Sequence, residues 1–391
     1  MKPHGLLWAL SALVAFTLHL LPRGGDFQRS RTVPPVAWSV PARGASDSAA
    51  RPAIFREESL GPGEGIASVH VASLAEFAPG CLAAAWYGGS REGARDVAVL
   101  MSTREGALAS PWSRPTVVVN QASAQRDLDR FVKKVGNPLL FSDARGRLQL
   151  LFVSIAVGGW SGSSLNLTES ADGGATWTPA RRLVLSPFFN VSELVKNPPV
   201  PVEGGGWAVP VYQETFGKFP EFLWLDVRDA VASATRSRPF GGRTAFQPAL
   251  LPLDTQRALL LCRTAGDQTE LFGSRTDDGG LHWSAPAPVG LPNPGSGIAA
   301  IRLTGGRLLV AFNDSVSGRD ILRLAISDDE GRTWRRGAKV IEEPGEEFSY
   351  PFLLQTGDDV IHLAYTWKRR AIRHAEFTPA WLEASLTEEK P

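Results

Sequence analysis

An eight-residue pattern recurs along the chain, and it constrains the fold more than any other feature. Ser170-Ala-Asp172-Gly-Gly174-Ala-Thr176-Trp177 is followed by Thr276-Asp-Asp278-Gly-Gly280-Leu-His282-Trp283 and by Ser327-Asp-Asp329-Glu-Gly331-Arg-Thr333-Trp334. The tryptophans stand at 177, 283 and 334, separations of two periods and one. A degraded copy runs from Ser102 through Gly106 to Trp112. Asp with Gly two residues on is a tight-turn signal: the carboxylate accepts backbone N–H bonds inside the turn, and Gly takes the positive φ. The Trp then packs on a neighbouring strand. These aspartates are therefore expected to form turns, each closing a hairpin between the outer strands of one repeated unit.

Between the turns lie apolar or alternating runs, once per period: GCLAAAWYGG, RLQLLFVSI, GWAVPVYQE, RALLLCRTA, RLLVAFND and VIHLAYTW. Glycine (39), proline (29) and tryptophan (12) spread along the chain suit many short strands joined by tight turns, and no long amphipathic helix is legible. Six runs imply six blades of an all-β propeller, near 67–118, 130–185, 195–240, 245–290, 297–341 and 348–378. An early strand around Ala53–Glu58 is expected to complete the last blade and close the ring, removing exposed edges.

The propeller is assigned to 53–380, with 381–391 as a C-terminal tail. Residues Gly5–Pro22 are almost wholly apolar, so 1–25 reads as a signal peptide or a membrane anchor. Residues 26–52, rich in Pro, Ser, Ala and Arg, read as a flexible linker. The body is then expected outside the cytoplasm, periplasmic or extracellular, as a monomer with a possible membrane tether through 5–22. The net charge of +1, without a long basic run, argues against nucleic acid as partner. Cys81 and Cys262 read as free thiols, and no Cys/His spacing suits zinc. No Gly-rich phosphate loop precedes a helix, and no cofactor is expected. Asn166, Asn190 and Asn313 open N-x-S/T triplets.

The recurring motif resembles the Asp-box of sialidases, and the chain resembles the divergent BNR-repeat-like branch of that superfamily over about residues 60–378. The resemblance implies a six-bladed β-propeller of the sialidase type and an exo-glycosidase acting on a terminal, acidic sugar of a glycan. Sialidases hold the sugar carboxylate with three arginines and use an Asp acid/base and a Tyr nucleophile assisted by a Glu, an exception to the two-carboxylate scheme. By resemblance, Arg263 is similar to the second arginine, Arg319 to the third, Tyr350 to the nucleophile and Asp96 to the acid/base. Arg91 and Glu92, in the same loop as Asp96, are expected to face the pocket.

The departures are specific. Where the first arginine belongs the chain has Ser68-Val69-His70-Val71, which makes His70 the substitute. The Glu assisting the Tyr falls at Gln247, which cannot act as a base. The late Glu steadying the first arginine falls near Thr366-Trp367. Glu214, beside Tyr212 at a strand end, is the candidate replacement base, and Asn197 and Asn137 open blades three and two as donors to sugar hydroxyls. Lys368-Arg369-Arg370 reads as a solvated hairpin, and His374 as structural. Two alternatives follow from the departures: a glycan-binding propeller without catalysis, and a hydrolase or lyase for another sugar using His70 and Glu214.

Overall fold

The computed structural model describes residues 11, 13, 32–40, 52–61, 63–106, 110–185, 193–215, 217–228 and 231–387. The apolar runs form six antiparallel sheets arranged as a six-bladed propeller. Blade one is β2 (Ser68–Ala78), β3 (Cys81–Gly89), β4 (Ala98–Arg104) and β5 (Thr116–Val119). Blade two is β6 (Lys134–Ser142), β7 (Leu148–Ile155), β8 (Ser163–Ser170) and β9 (Arg181–Arg182). Blade three splits its inner strand into β10 (Leu194–Val195) and β11 (Val200–Pro201), both paired with β12 (Trp207–Gln213), then adds β13 (Phe219–Arg228) and β14 (Val231–Ser237). Blade four is β15 (Ala245–Pro252), β16 (Ala258–Thr264), β17 (Glu270–Thr276) and β18 (Ala287–Pro292). Blade five is β19 (Ala299–Arg302), β20 (Leu308–Asn313), β21 (Ile321–Ser327) and β22 (Arg335–Glu342). Blade six is β23 (Phe348–Gln355), β24 (Ile361–Trp367), β25 (Ala371–Phe377) and, outermost, β1 (Phe55–Ser59) from the start of the chain. β1 pairs antiparallel with β25, Phe55 opposite Phe377, so the ring closes where the sequence places its closing strand.

The three aspartates of the repeat hold turns. Asp172 accepts from Thr176 N (2.9 Å), Thr176 Oγ1 and Ser170 Oγ, and Asp278 and Asp329 repeat the arrangement with His282 and Thr333. Each turn joins the third and fourth strands of its blade, at the end of the sheet away from the starts of the inner strands. Apolar residues on facing sheets, such as Leu140, Leu150 and Phe152 in blade two with Ala83, Ala85 and Val99 in blade one, fill the seams between blades. Cys262 is buried, Cys81 is partly buried, and both are free.

Two segments depart from expectation. Residues 32–40, assigned to the flexible linker, are docked on blades three and four. Trp38 is fully buried and stacked on Trp224 at 6.0 Å; its backbone N–H donates to Thr255 O, and Val36 N donates to Gly279 O. Composition misleads here because one large aromatic ring in a pocket outweighs the entropy of a few polar neighbours. The assigned tail is also structured in part. After α1 (Gln121–Leu128), which lies between blades one and two in the chain, α2 (Pro379–Thr387) buries Leu382 and stacks Trp381 on Phe55 at 4.5 Å.

The apolar segment 5–22 lies outside the described residues apart from positions 11 and 13. Among the described residues no helix is long and apolar enough to cross a membrane. Asn190 also falls outside them. Asn166 and Asn313 are completely buried and hydrogen-bonded, Asn166 within blade two and Asn313 to Ser296 and to Phe348 of blade six, which closes both acceptor triplets to modification.

Candidate active site

The inner strands of four blades carry the same irregularity near their starts. The register of each slips, and one non-glycine residue takes a positive φ: Val71 (51°), Asn137 (44°), Gln247 (50°) and Tyr350 (51°). Proline follows the last three. A bulge re-aims side chains out of the sheet, and the left-handed backbone it needs costs energy in a residue with a Cβ. Four such positions in equivalent places point to one shared axial site.

The contacts around Tyr350 close into a ring. Its phenol ring meets His70 edge to face at 4.6 Å, and His70 meets Tyr87 at 5.8 Å. Tyr87, whose pKa burial raises, stands near enough to Glu92 for that carboxylate to raise it further, and Arg369 Nη1 contacts the same Glu92. Arg369 then clamps Glu347 through Nε (2.8 Å) and Nη2 (3.2 Å). Arg319 reaches the same Glu347 oxygen as Nη2 at 3.3 Å and stands 6.0 Å over the Tyr350 ring. A second arc runs from Asn137 through the Tyr212 hydroxyl (3.5 Å) to Gln247 (2.9 Å) and on to Arg263 Nη1 (2.9 Å). Arg263 lies over Phe246 at 4.4 Å, almost buried, and its Nε has no hydrogen-bond partner among the described residues. A donor so placed is costly unless an acceptor arrives.

Where the family places an arginine and its supporting Glu, this chain pairs His70 with Thr366: Thr366 Oγ1 lies 3.1 Å from His70 Nδ1 and accepts from Val71 N. Burial, and then the charge of Arg369, lower the His70 pKa to about 4, so its imidazole is neutral at physiological pH. Burial opposes the charge on Glu347, but its bonds to Arg369 and Ser349 hold it at about 2. Glu92 is likewise lowered, burial opposing and Arg369 prevailing. Burial pushes the Tyr87 and Tyr212 phenols upward.

Of the residues singled out from sequence, Tyr350, His70, Gln247, Arg263 and Arg319 come together here. Glu214 sits partly exposed just beyond β12, close enough to Tyr212 to raise its pKa further. Tyr212 itself is buried with its hydroxyl engaged by Gln247 and Asn137, so it braces the pocket wall rather than facing a ligand. Asn197 is also a strut: its Nδ2 donates to Pro248 O (2.8 Å), because the break in the blade-three inner strand brings it against the bulge of blade four. Asp96 is exposed and closes its own loop, both oxygens accepting from Ser90 at 2.9 Å, which lowers its pKa. Arg91 is exposed in that loop, while Glu92 turns inward.

Arg369 corrects the reading of its segment as a solvated hairpin. Lys368 and Arg369 both have positive φ, and this turn carries the guanidinium inward. Two further residues were missed. Glu347, three before Tyr350, holds Arg319 and Arg369 together. Lys196, fully buried, extends its ammonium to Ile298 O of blade five, Pro351 O of blade six and Asn197 Oδ1 (3.0 Å), spanning the axis beneath Tyr350. Burial and then Arg263 pull its pKa well below the usual amine value. The repeated x-Pro in the inner strands was the available signal for the bulges.

The BNR repeat-like domain model matches residues 80–363. The chain belongs to this family. As a BNR repeat-like propeller it is similar in structure to the Hadza microbial sialidase Hz136 (16% identity, 83% of this chain, 69% of that one, TM-score 0.67). It is similar to a protein of unknown function from Dyadobacter fermentans (13%, 83% and 99%, TM-score 0.65). It is similar too to the intramolecular trans-sialidase from Ruminococcus gnavus, solved with oseltamivir carboxylate (13%, 86% and 99%, TM-score 0.64). No curated protein matches the sequence. At these identities the likeness is one of fold.

Proposed function

We propose that this BNR repeat-like propeller is an exported, sialidase-like exo-glycosidase that removes a terminal acidic sugar from a glycan, with Tyr350 as nucleophile. The observation that carries the reading is the Arg263 guanidinium, nearly buried with an unpartnered Nε, in the same pocket as a tyrosine held on a strained bulge. A carboxylate sugar would satisfy that donor, with Arg319, held by Glu347, standing over the same tyrosine. The Tyr350 oxygen would attack the anomeric carbon as the glycosidic bond breaks, its phenol proton passing to a base, and the leaving oxygen would take a proton from an acid. Water would then release the sugar and restore the phenol. Asp96 is the candidate for that acid and Glu214 for that base.

A second reading is a glycan-binding propeller without catalysis. The observation favouring it is Asp96, whose two oxygens are both engaged by Ser90. The two readings separate in one experiment. The full chain, Tyr350→Phe and Arg263→Ala are assayed on a panel of aryl glycosides headed by the α-sialoside, and binding of the free sugars is measured by calorimetry. Turnover lost in Tyr350→Phe supports the enzyme. Binding lost in Arg263→Ala without turnover in any variant supports the binder. Neither turnover nor binding of any acidic sugar by folded protein rejects both.

A further inference from the structure

A second cluster of titratable side chains lies in the seam where β1 closes the ring. His362 stands opposite Glu376 across the β24–β25 ladder, and His374 opposite Ala364, two residues along on the same face. All three are buried, at 3%, 3% and 0% exposure for His362, Glu376 and His374. The two imidazoles stack with planes 8° apart, and His362 Nδ1 lies 3.0 Å from His374 Nε2. One ligand atom from each of the three residues lies within 4.8 Å of the others.

The protons around this cluster can be assigned. Thr356 Oγ1 has one hydrogen, and its nearest partners, Asp358 Oδ1 (2.6 Å) and Val360 O (3.1 Å), can only accept it. The contact between Thr356 Oγ1 and His362 Nε2 at 3.4 Å therefore has the imidazole donating, and His362 Nδ1 is left as a lone pair. On the other ring, Nδ1 lies 3.4 Å from Glu58 Oε1, a carboxylate that also only accepts, so His374 Nε2 is a lone pair as well. Two lone pairs thus face one another with a carboxylate beside them, an arrangement that is repulsive until a cation joins them. Arg104 bonds Glu376 Oε2 at 2.7 Å and Glu58 Oε1 at 3.3 Å, but one guanidinium against two carboxylates leaves the cluster net negative.

We propose that His362 Nδ1, His374 Nε2 and the Glu376 carboxylate bind one divalent transition-metal ion of the zinc type. Two imidazoles and a carboxylate are a common zinc donor set, and nitrogens each about 2.0–2.1 Å from a tetrahedral ion stand roughly 3.3 Å apart, close to the separation here. The remaining ring nitrogens are oriented by Thr356 and Glu58, as ligating histidines usually require. The sequence shows no zinc spacing because the ligands meet only across a hairpin. The ion would tie β24 and β25 to β1 and β4 through Glu58 and Arg104, so it is structural and independent of the Tyr350 pocket.

The test uses the full chain, refolded after chelation with or without Zn(II), then desalted. Expected results are stoichiometric zinc by mass spectrometry, visible d–d absorption with Co(II) in its place, and a melting temperature raised by several degrees over the metal-free protein. His374→Asn and Glu376→Gln should lose zinc and the melting shift. Should His374→Asn fail to fold, Glu376→Gln and the Co(II) spectrum of the wild type decide. Folded wild type that retains no zinc, gives no Co(II) spectrum and melts at the same temperature with and without metal overturns the proposal; the imidazoles would then share a proton.

Discussion

Replacing Lys196 with Met keeps most of the side-chain volume at the centre of the propeller and deletes its charge. The ammonium has three hydrogens, and three oxygens from three different blades receive them: Asn197 Oδ1, Ile298 O and Pro351 O. Methionine leaves all three oxygens buried without a donor. Each buried oxygen left without a donor costs about 1–3 kcal/mol, and the desolvation of the ammonium that is recovered offsets part of the sum, for a net loss of roughly 3–5 kcal/mol. For a domain of this size about 2 °C of melting temperature follows each kcal/mol, so a fall of roughly 6–10 °C is expected. Differential scanning calorimetry at neutral pH measures it. Pro351 follows Tyr350, so the same substitution should also weaken binding of acidic sugars by freeing the bulge. A melting temperature equal to or above that of the wild type would refute the reasoning, because it would mean that the apolar side chain suits the axis better than the cation does.

Tyr350→Phe is expected to abolish release of an aryl sugar acid while changing stability by less than about 1 kcal/mol, as Tyr350 is only partly buried; turnover and calorimetry check both halves. Trp38→Ala should cost roughly 3–5 kcal/mol and speed proteolysis within residues 32–40, read by calorimetry and timed digestion. The repeat aspartates Asp172, Asp278 and Asp329 sit at about pKa 2 in the folded chain, held down mainly by turn hydrogen bonds, with burial opposing this most at Asp329. Their folded values are depressed, so the stability they confer is complete above the unfolded value near 4 and is lost as pH falls towards 2. Melting curves from pH 5 to pH 2 should show a smaller acid loss in Asp172→Asn than in the wild type.

The turns and the blade count were legible because each depends on neighbours in sequence: Asp needs its Gly two residues on, and an apolar run needs only its own length. Tyr350, His70 and Arg263 were singled out through the resemblance to sialidases, and they meet because strand ends feed the axis in any such ring. Asn197 was not, since an amide serves a ligand and a backbone carbonyl equally well, and the break between β10 and β11 decides which one it meets. Arg369 was not, since its direction is set by two positive φ angles that no residue type announces. Lys196 was hidden beside Asn197 because nothing in VKNPPV says that oxygens of blades five and six lie within its reach.

The docking of residues 32–40 fixes an orientation. The strap is bonded to Gly279, in the repeat turn of blade four, and to Thr255, in the hairpin between β15 and β16. Gln247 and Arg263 lie at the other ends of those strands. Whatever precedes Thr32 therefore leaves from the side opposite the pocket. Were that stretch fixed to a surface, about ten residues after Pro22 would give a leash of at most roughly 35 Å. The pocket would look outward, towards sugars on bodies that approach and away from those rooted beside it.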